Sequence, residues 1–310
     1  MNNSLEKLMN LDRQQLEAFA CILDEGGFER AAQHLHLSQS AISQRLRTLE
    51  QTLGCALLIR TSPPQPTAAG HTLLRHIRQL RLMEAAVADQ LRPAPGRSIS
   101  LSVAVNADSL TTWFLPGVQP ACMRQGLLLE VMLDDENHTH SWLQRGEVSG
   151  CITALATPPA GGVADPLGMM EYACVATRSF AAQWLPHGLQ GLCWQQAPAI
   201  SFNRKDTLHT QFIEQHFGVA AAQFPRHLLP SPEAFLSAIR LGLGYGFVPV
   251  LQLPNLAHEA ELIELAPAQR QRVMLYWQHW RLEPEAAQRL SQAVMAAGRQ
   301  ALVQLPHTTH

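Results

Sequence analysis

The chain has 310 residues, of which 46% are hydrophobic and 15% charged, and its formal net charge is −2. This length suits two or three domains of about 100–200 residues, and the composition excludes disordered and fibrous proteins. No run of about 18 apolar residues occurs, so neither a membrane-spanning segment nor a membrane partner is expected. The first residues lack the apolar stretch of a secretion signal, which favours a cytoplasmic protein.

The cysteines and histidines give no sign of a metal site. No Cys-x-x-Cys pair and no zinc-like Cys/His spacing occurs, and the fourteen histidines are scattered. We therefore expect small buried thiols in a reducing compartment, with no metal and no cofactor. The six cysteines are Cys21, Cys55, Cys122, Cys151, Cys174 and Cys193.

Charge is unevenly distributed along the chain. Between Phe28 and Arg81, seven arginines stand against two glutamates, a local balance of +5 on a chain whose net charge is −2. A basic segment on an otherwise acidic chain is a modest indication of a polyanionic partner. Charge alone does not decide which polyanion that is.

Apolar spacing predicts three helices near the N-terminus, over residues 11–24, 28–35 and 38–53. Gly26-Gly27 ends the first helix, and Ser38 is a favourable N-cap for the third.

The third helix has two contrasting faces. Apolar residues recur at spacings of four, three and four, at Ile42, Leu46, Leu49 and Leu53. The opposite face collects short or planar hydrogen-bonding side chains, Gln39, Ser40, Ser43, Gln44 and Arg47. Such side chains suit base edges and phosphates in a DNA groove, because Gln pairs with adenine and Arg with guanine. An ordinary solvated helix face is the alternative.

A wing and a long helix are predicted next. Residues 55–70 indicate a short β-ribbon closed by prolines, which could place Arg60 near a phosphate or in the minor groove. A helix over residues 67–91 follows, and its four-three apolar repeat is typical of a dimerisation seam, broken only at Glu84. The repeat consists of Leu73, Ile77, Leu80, Val87 and Leu91.

The stretch GGFERAAQHLHLSQSAISQRLRTLEQTLGCALLIRTSPPQPTAAG, residues 26–70, resembles the signature of LysR-type transcriptional regulators. The resemblance implies a winged helix-turn-helix that binds double-stranded operator DNA. It also implies paired linker helices, a homodimer or homotetramer, and RNA polymerase as a further candidate partner. The implied DNA-binding residues are Arg30, Ser38, Gln39, Ser40, Ser43, Gln44, Arg47 and Arg60.

Beyond a polar hinge at Pro93–Arg97, strands alternate with helices, which predicts an α/β fold with mostly parallel sheets. The arrangement resembles a type-2 periplasmic-binding fold, which LysR regulators use as a two-lobed effector domain. The expected domains are a winged helix-turn-helix at 1–65, a linker helix at 66–92 and an effector domain at 97–303. Its first lobe would comprise about 97–171 and 271–303, and its second lobe about 172–270.

A ligand in such a fold lies between the lobes, at strand ends and helix N-termini. One predicted site, with helix-start amides for a carboxylate, comprises Asn106, Asp108 and Ser109. An acidic site that would favour a cationic group comprises Asp134, Asp135 and Glu136. A third, from the second lobe, comprises Ser201, Phe202 and Asn203. Helix capping and a solvated acidic loop are the alternatives for the first two.

Motifs along nearly the whole chain, such as residues 101–110, 145–148, 231–235 and 274–277, resemble the arginine- and lysine-responsive ArgP/LysG subgroup of the family. The resemblance implies a lysine or arginine effector and control of genes for basic amino acid export or metabolism. Arg204 and Lys205 depart from the more acidic stretch expected there, so an anionic effector is the alternative.

Two other classes of protein are disfavoured. No Gly-x-Ser-x-Gly elbow, P-loop or His-Glu-x-x-His helix indicates an enzyme. Pro249 follows the glycines of Gly242-Leu-Gly244-Tyr-Gly246 too closely for a nucleotide-binding helix, so these glycines more simply connect a helix to a buried strand. The absent secretion signal and the DNA-binding segment disfavour a secreted solute receptor.

Overall fold

A computed structural model describes residues 11–91, 98–189, 193–219, 223–256 and 261–304. The chain forms two compact units. The first takes in the described part of Met1–Arg97 together with Ser141–Ser149 and Glu283–Glu285. The second takes in Ser98–His140, Gly150–Leu282 and the described residues from Ala286 onward. The predicted hinge at Pro93–Arg97 lies outside the described residues.

The first unit is a winged helix-turn-helix, as the resemblance implies, and it contains the three N-terminal helices that the apolar spacing predicts. Its helices are α1 (Arg13–Asp24), α2 (Phe28–His34), α3 (Gln39–Leu53) and α4 (Ala68–Leu91), and its wing strands are β1 (Leu58–Ile59) and β2 (Gln65–Pro66). Asp12 caps α1 by accepting from the amides of Gln14 and Gln15, at 2.7 and 3.2 Å. The turn after α1 needs a left-handed residue, which Gly26 supplies at φ 68°.

Packing around Gly70 explains the motif that joins the wing to α4. The amide of Gly70 donates to Thr67 Oγ1, and Thr67 Oγ1 in turn donates to the carbonyl of Ala56, at 3.0 and 2.8 Å. A Cβ on Gly70 would lie only 2.1 Å from the carbonyl oxygen of Leu57. Glycine is therefore required here because the wing backbone crosses the start of α4 at contact distance.

The apolar repeat of α4 divides into two parts. Leu73 and Ile77 are buried in the core of the first unit with α1 and α3, so they are not available for a partner helix. Leu80, Val87 and Leu91 are exposed, and only this later part can serve as a dimerisation seam. The predicted seam is therefore too long, because four-three spacing does not distinguish burial in the same chain from burial against another.

The second unit has two lobes. Its strands are β3 (Ile99–Val105), β4 (Leu127–Leu133), β5 (Gly150–Thr153), β6 (Gly162–Thr177), β7 (Ala199–Ser201), β8 (Arg226–Leu228), β9 (Gly246–Pro249), β10 (Leu262–Glu264) and β11 (Gln271–Trp280). Its helices are α5 (Ala107–Ser109), α6 (Leu115–Gln125), α8 (Arg178–Trp184), α9 (Leu208–Phe217), α10 (Pro232–Arg240), α11 (Leu253–Leu256) and, from Ala286 onward, α12 (Glu285–Ala301). The short helix α7 (His140–Gln144) belongs to the first unit from Ser141 onward. A π-helical turn, Leu110–Phe114, joins α5 to α6.

The sheets are less uniformly parallel than predicted. β3 pairs in parallel with β4 and β5, and β7 with β8. β6 and β11 are long and antiparallel to each other, and β6 continues into antiparallel pairing with β9 and β10. β6 and β11 connect the two lobes, and they introduce the antiparallel pairs because they run in opposite directions.

The glycines after α10 connect that helix to buried strand β9, as expected for a structural rather than a nucleotide-binding loop. No helix within the described residues combines the length and hydropathy needed to cross a membrane.

Candidate functional site

The exposed face of α3 and the wing form one groove in the first unit. Gln39, Ser43 and Arg47 line the groove from the helix, and Arg60 and Thr61 line it from the wing. Ser40 and Gln44 are also exposed on α3. The fold therefore brings the predicted base-reading side chains together with the wing arginine, although 13 positions separate Arg47 from Arg60.

Two further predicted DNA-binding residues have local structural partners. The Ser38 hydroxyl accepts from the amide of Ala41 at 3.2 Å and caps α3, as predicted. The Arg30 guanidinium donates to the carbonyl of Gly26 at 3.0 Å, which holds it beside the turn after α1.

Some arginines of the basic segment are paired with acidic side chains, and others are exposed. Arg78 pairs with Asp24 at 3.1 Å, and Arg81 pairs with Asp24 at 3.0 Å and with Glu17. Within the described part of the chain, Arg47 and Arg60 make no ion pair, and both are exposed. The local charge of +5 thus overstates what faces outward, because part of it is neutralised by acids of α1.

A cavity lies in the second unit at the carboxyl ends of β3 and β4, opposite the loop after β7. Both lobes line it, the position expected for a ligand in this class of fold. The predicted effector residues that line it are Asn106, Asp108, Asp134, Asp135, Glu136 and Phe202.

Ser109, Ser201 and Asn203 do not line this cavity. The two serines are fully buried, so neither hydroxyl faces the cavity. The Asn203 side chain accepts from the amides of Lys205 and Asp206, at 2.7 and 3.1 Å, and shapes the turn after β7. Placing a residue at a strand end was therefore not enough to predict where its side chain points.

Sequence reasoning missed the part of the wall that comes from the second lobe. Asp206 and His209 line the cavity, with apolar side chains from α10 and β9. The Asp206 carboxylate accepts from the amides of Phe202 and Leu208, at 2.9 and 3.1 Å, which fixes its position before α9. The sequence did contain a signal for Asp206, because this acid lies between a strand, β7, and the start of the next helix, α9.

The cavity is strongly acidic, with five lining carboxylates. Burial, and then the neighbouring charge of Asp135, raises the pKa of Glu136 to about 8. Burial also raises the pKa of Asp108 to about 6, although a hydrogen bond from Tyr172 opposes the shift. Asp134 has a cation nearby, the Lys205 ammonium at 3.7 Å. A low-dielectric cavity that crowds carboxylates attracts cations and excludes anions.

One group outside this cavity contains residue types that bind metals. A donor atom from each of Cys21, Glu25 and His34 lies within 4.8 Å of the others. His34 Nδ1 lies 3.0 Å from Glu25 Oε1, and the Cys21 thiol donates to the carbonyl of Ala31 at 3.8 Å. Because a metal-binding thiol has to ionise and burial raises the pKa of this one, we interpret the group as a contact between His34 and Glu25 beside a core thiol. The absence of a metal site stays a prediction.

Two family models match the chain. Residues 13–71 match the bacterial regulatory helix-turn-helix protein, lysR family, and residues 96–299 match the LysR substrate binding domain. The HTH-type transcriptional regulator ArgP of Aeromonas salmonicida is 39% identical over 293 residues, which are 94% of this chain and 98% of that protein.

Solved structures give the same result. ArgP from Mycobacterium tuberculosis superposes with a TM-score of 0.87 at 32% identity, covering 96% of this chain and 100% of that one. Full-length LysG from Corynebacterium glutamicum with bound effector Arg superposes with a TM-score of 0.80 at 35% identity, covering 94% and 99%. The chain therefore belongs to the LysR family of bacterial transcriptional regulators: it is a DNA-binding regulator with an effector-binding domain, not an enzyme.

Proposed function

We propose that this regulator senses a basic amino acid, arginine or lysine, in the cavity of its second unit. The observation that carries the proposal is the acidic wall formed by Asp108, Asp134, Asp135, Glu136 and Asp206. Asn106 adds a buried side-chain oxygen that has no hydrogen-bond partner among the described residues. Carboxylate and amide oxygens accept hydrogen bonds from ammonium and guanidinium groups, which only donate.

The relatives support the same ligand class. LysG was solved with Arg as its bound effector, and the curated relatives are named ArgP. Arg204 and Lys205, which suggested an anionic effector, do not line the cavity, and the Lys205 ammonium lies 3.7 Å from Asp134. These two cations therefore give weaker support for an anionic ligand than their position in the sequence suggested.

We further propose that α3 enters the major groove with Gln39, Ser40, Ser43, Gln44 and Arg47, while Arg30 and Arg60 contact the backbone and Ser38 fixes the start of the helix. The exposed part of α4 would pair two copies, so that two heads meet a two-fold symmetric operator in the cytoplasm. The controlled genes would serve export or metabolism of basic amino acids.

Effector binding would act as a population shift. A ligand held by both lobes favours the closed arrangement by its differential affinity, and closure would change how the paired heads meet DNA. A footprint and a bending assay on an operator fragment, with and without millimolar arginine or lysine, test this step. Identical footprints and identical bends under all conditions would rule it out.

The ligand itself is tested by calorimetric titration of the full chain with arginine, lysine and leucine. We expect saturable binding of the first two and at least about 100-fold weaker binding of leucine, because a site built for a charged group leaves its carboxylates unpaired without one. Binding of leucine as tight as that of arginine, or no binding of either basic amino acid, would overturn the proposed ligand.

A further inference from the structure

The cavity carboxylates come from separate parts of the second unit. Asp108 belongs to α5, Asp135 and Glu136 follow β4, and Asp206 precedes α9. The carbonyl of Glu136 accepts from the amide of Ala154 at 2.9 Å and from the Thr153 hydroxyl at 2.7 Å, which fixes its backbone against β5. The backbone of Glu136 is therefore held at the cavity wall by β5.

Few charges balance these acids. The Lys205 ammonium lies 3.7 Å from Asp134, and His138 Nδ1 lies 3.5 Å from Asp135. Among the described residues, no lysine or arginine nitrogen lies within 4 Å of Asp108, Glu136 or Asp206. The titratable groups that face Glu136 from the surrounding elements are Asp108, Asp134, Asp135, Tyr172, Asp206 and His209.

His209 and Tyr172, the two groups in this set that are not carboxyls, supply no positive charge. Burial lowers the pKa of His209, so the imidazole is neutral, and burial raises the pKa of Tyr172, so the phenol keeps its proton. The pKa of Glu136, raised to about 8 by burial and by Asp135, leaves this carboxyl protonated in the empty cavity near neutral pH. A cation placed beside it reverses both causes, since it favours the ionised form.

We propose that Glu136 determines the charge specificity of the cavity by exchanging its proton for a cationic group of the ligand, an inference that rests on the proposed function. The O–H bond of the carboxylic acid breaks, its proton leaves to solvent, and the resulting carboxylate pairs with the arriving guanidinium or ammonium. A ligand with a neutral side chain brings one cation fewer and leaves the proton in place. The sensor would then respond to pH as well as to amino acid concentration.

The experiment is calorimetric titration of the full chain with arginine, whose guanidinium stays charged at every working pH. At pH 7 the titration is run in phosphate and in Tris, which take up a released proton with different heats. We expect the apparent enthalpy to differ between the buffers by an amount equal to about one released proton. Between pH 6 and 8 the affinity should rise up to about tenfold per pH unit.

Glu136→Gln should bind arginine more weakly. Above pH 7, where Asp108 with its pKa of about 6 is already ionised, this variant should show almost no buffer dependence and a flat pH profile. Glu130→Gln is the matched control, because it makes the same side-chain change at an exposed position of β4, outside the cavity, where Glu130 is bonded to Ser102. When it binds arginine, this control should release about one proton, as the unchanged chain does. The buffer comparison on the unchanged chain needs no variant, so a folding defect in Glu136→Gln leaves the proposal testable.

The outcomes separate the two proposals. Tight arginine binding with equal heats in both buffers and a flat pH profile would overturn proton exchange and leave amino acid sensing intact. A pH dependence that persists unchanged in Glu136→Gln would assign the proton to another carboxyl and overturn the role of Glu136. Failure of arginine and lysine to bind at any pH would overturn both.

Discussion

The groove between α3 and the wing and the cavity of the second unit are both built from charge, but in opposite ways. The groove presents Arg47 and Arg60 at an exposed surface, from one short stretch of chain. The cavity gathers carboxylates from distant stretches into partly buried positions. Exposed charges act through a screened, salt-dependent field, whereas crowded buried charges change their own protonation. We therefore expect salt concentration to control ligand binding at the groove and pH to control it at the cavity.

The largest expected effect separates the two units. Phe19 is fully buried in the core of the first unit, which is distinct from that of the second. Phe19→Ala should cost about 3–5 kcal/mol of stability in the first unit, because it leaves a cavity. We expect DNA binding to be lost at 37 °C while calorimetric arginine binding persists. Gln33→Ala, at an exposed position of α2, is the control. Loss of both activities together would show that the units do not fold independently.

The second effect tests pH at the cavity without ligand. Folding raises the pKa of Glu136 from its ordinary value of 4.5 to about 8, so the native state holds a proton more tightly than the unfolded chain. The stability from this group is present below pH 4.5 and is lost as pH rises toward 8, by up to about 1.4 kcal/mol per pH unit. Urea melts of the ligand-free chain measure this loss. Glu136→Gln should lose less stability over the same window, and equal losses would contradict the assignment.

The third effect concerns sequence reading. Arg47→Ala should weaken binding to a selected operator by about 1–3 kcal/mol, with a smaller loss on unrelated DNA, because a base contact discriminates. Arg45→Ala is a matched control on the same helix, since its guanidinium donates to Gln14 at 2.7 Å. Fluorescence anisotropy on operator and random duplexes measures both. If Arg47→Ala and Arg45→Ala lose the same affinity for the operator, α3 does not contact DNA bases through the proposed face.

The smallest effect concerns the wing. Arg60→Ala should weaken binding to all sequences alike and reduce the slope of log affinity against log salt by about 0.9, as for one lost phosphate contact. Binding titrations between about 50 and 200 mM salt measure this change in slope. An unchanged slope combined with a change in sequence preference would move Arg60 from the backbone to the bases.

Prediction from sequence succeeded where neighbours along the chain determine the structure. Ser38 caps α3, Gly26 turns the chain, and Gln39, Gln44 and Arg47 are exposed on α3. Each of these features depends on residues within about one or two helical turns. The family, the two-lobed fold and the acidic strand end near Glu136 were also correctly predicted. The dimerisation seam of α4 was predicted too long. The same four-three spacing results whether Leu73 is buried in its own unit, as it is here, or against a partner helix.

The pattern of residues along the chain was enough to predict three N-terminal helices, a wing and an α/β domain with acids at a strand end. Only the tertiary structure decided which side chains share the cavity. It brought Asp206 and His209 to the wall and turned Ser109 and Ser201 into the interior. The physical reason is that helix periodicity is a local property, whereas burial and the resulting protonation of Glu136 depend on segments that meet only after folding.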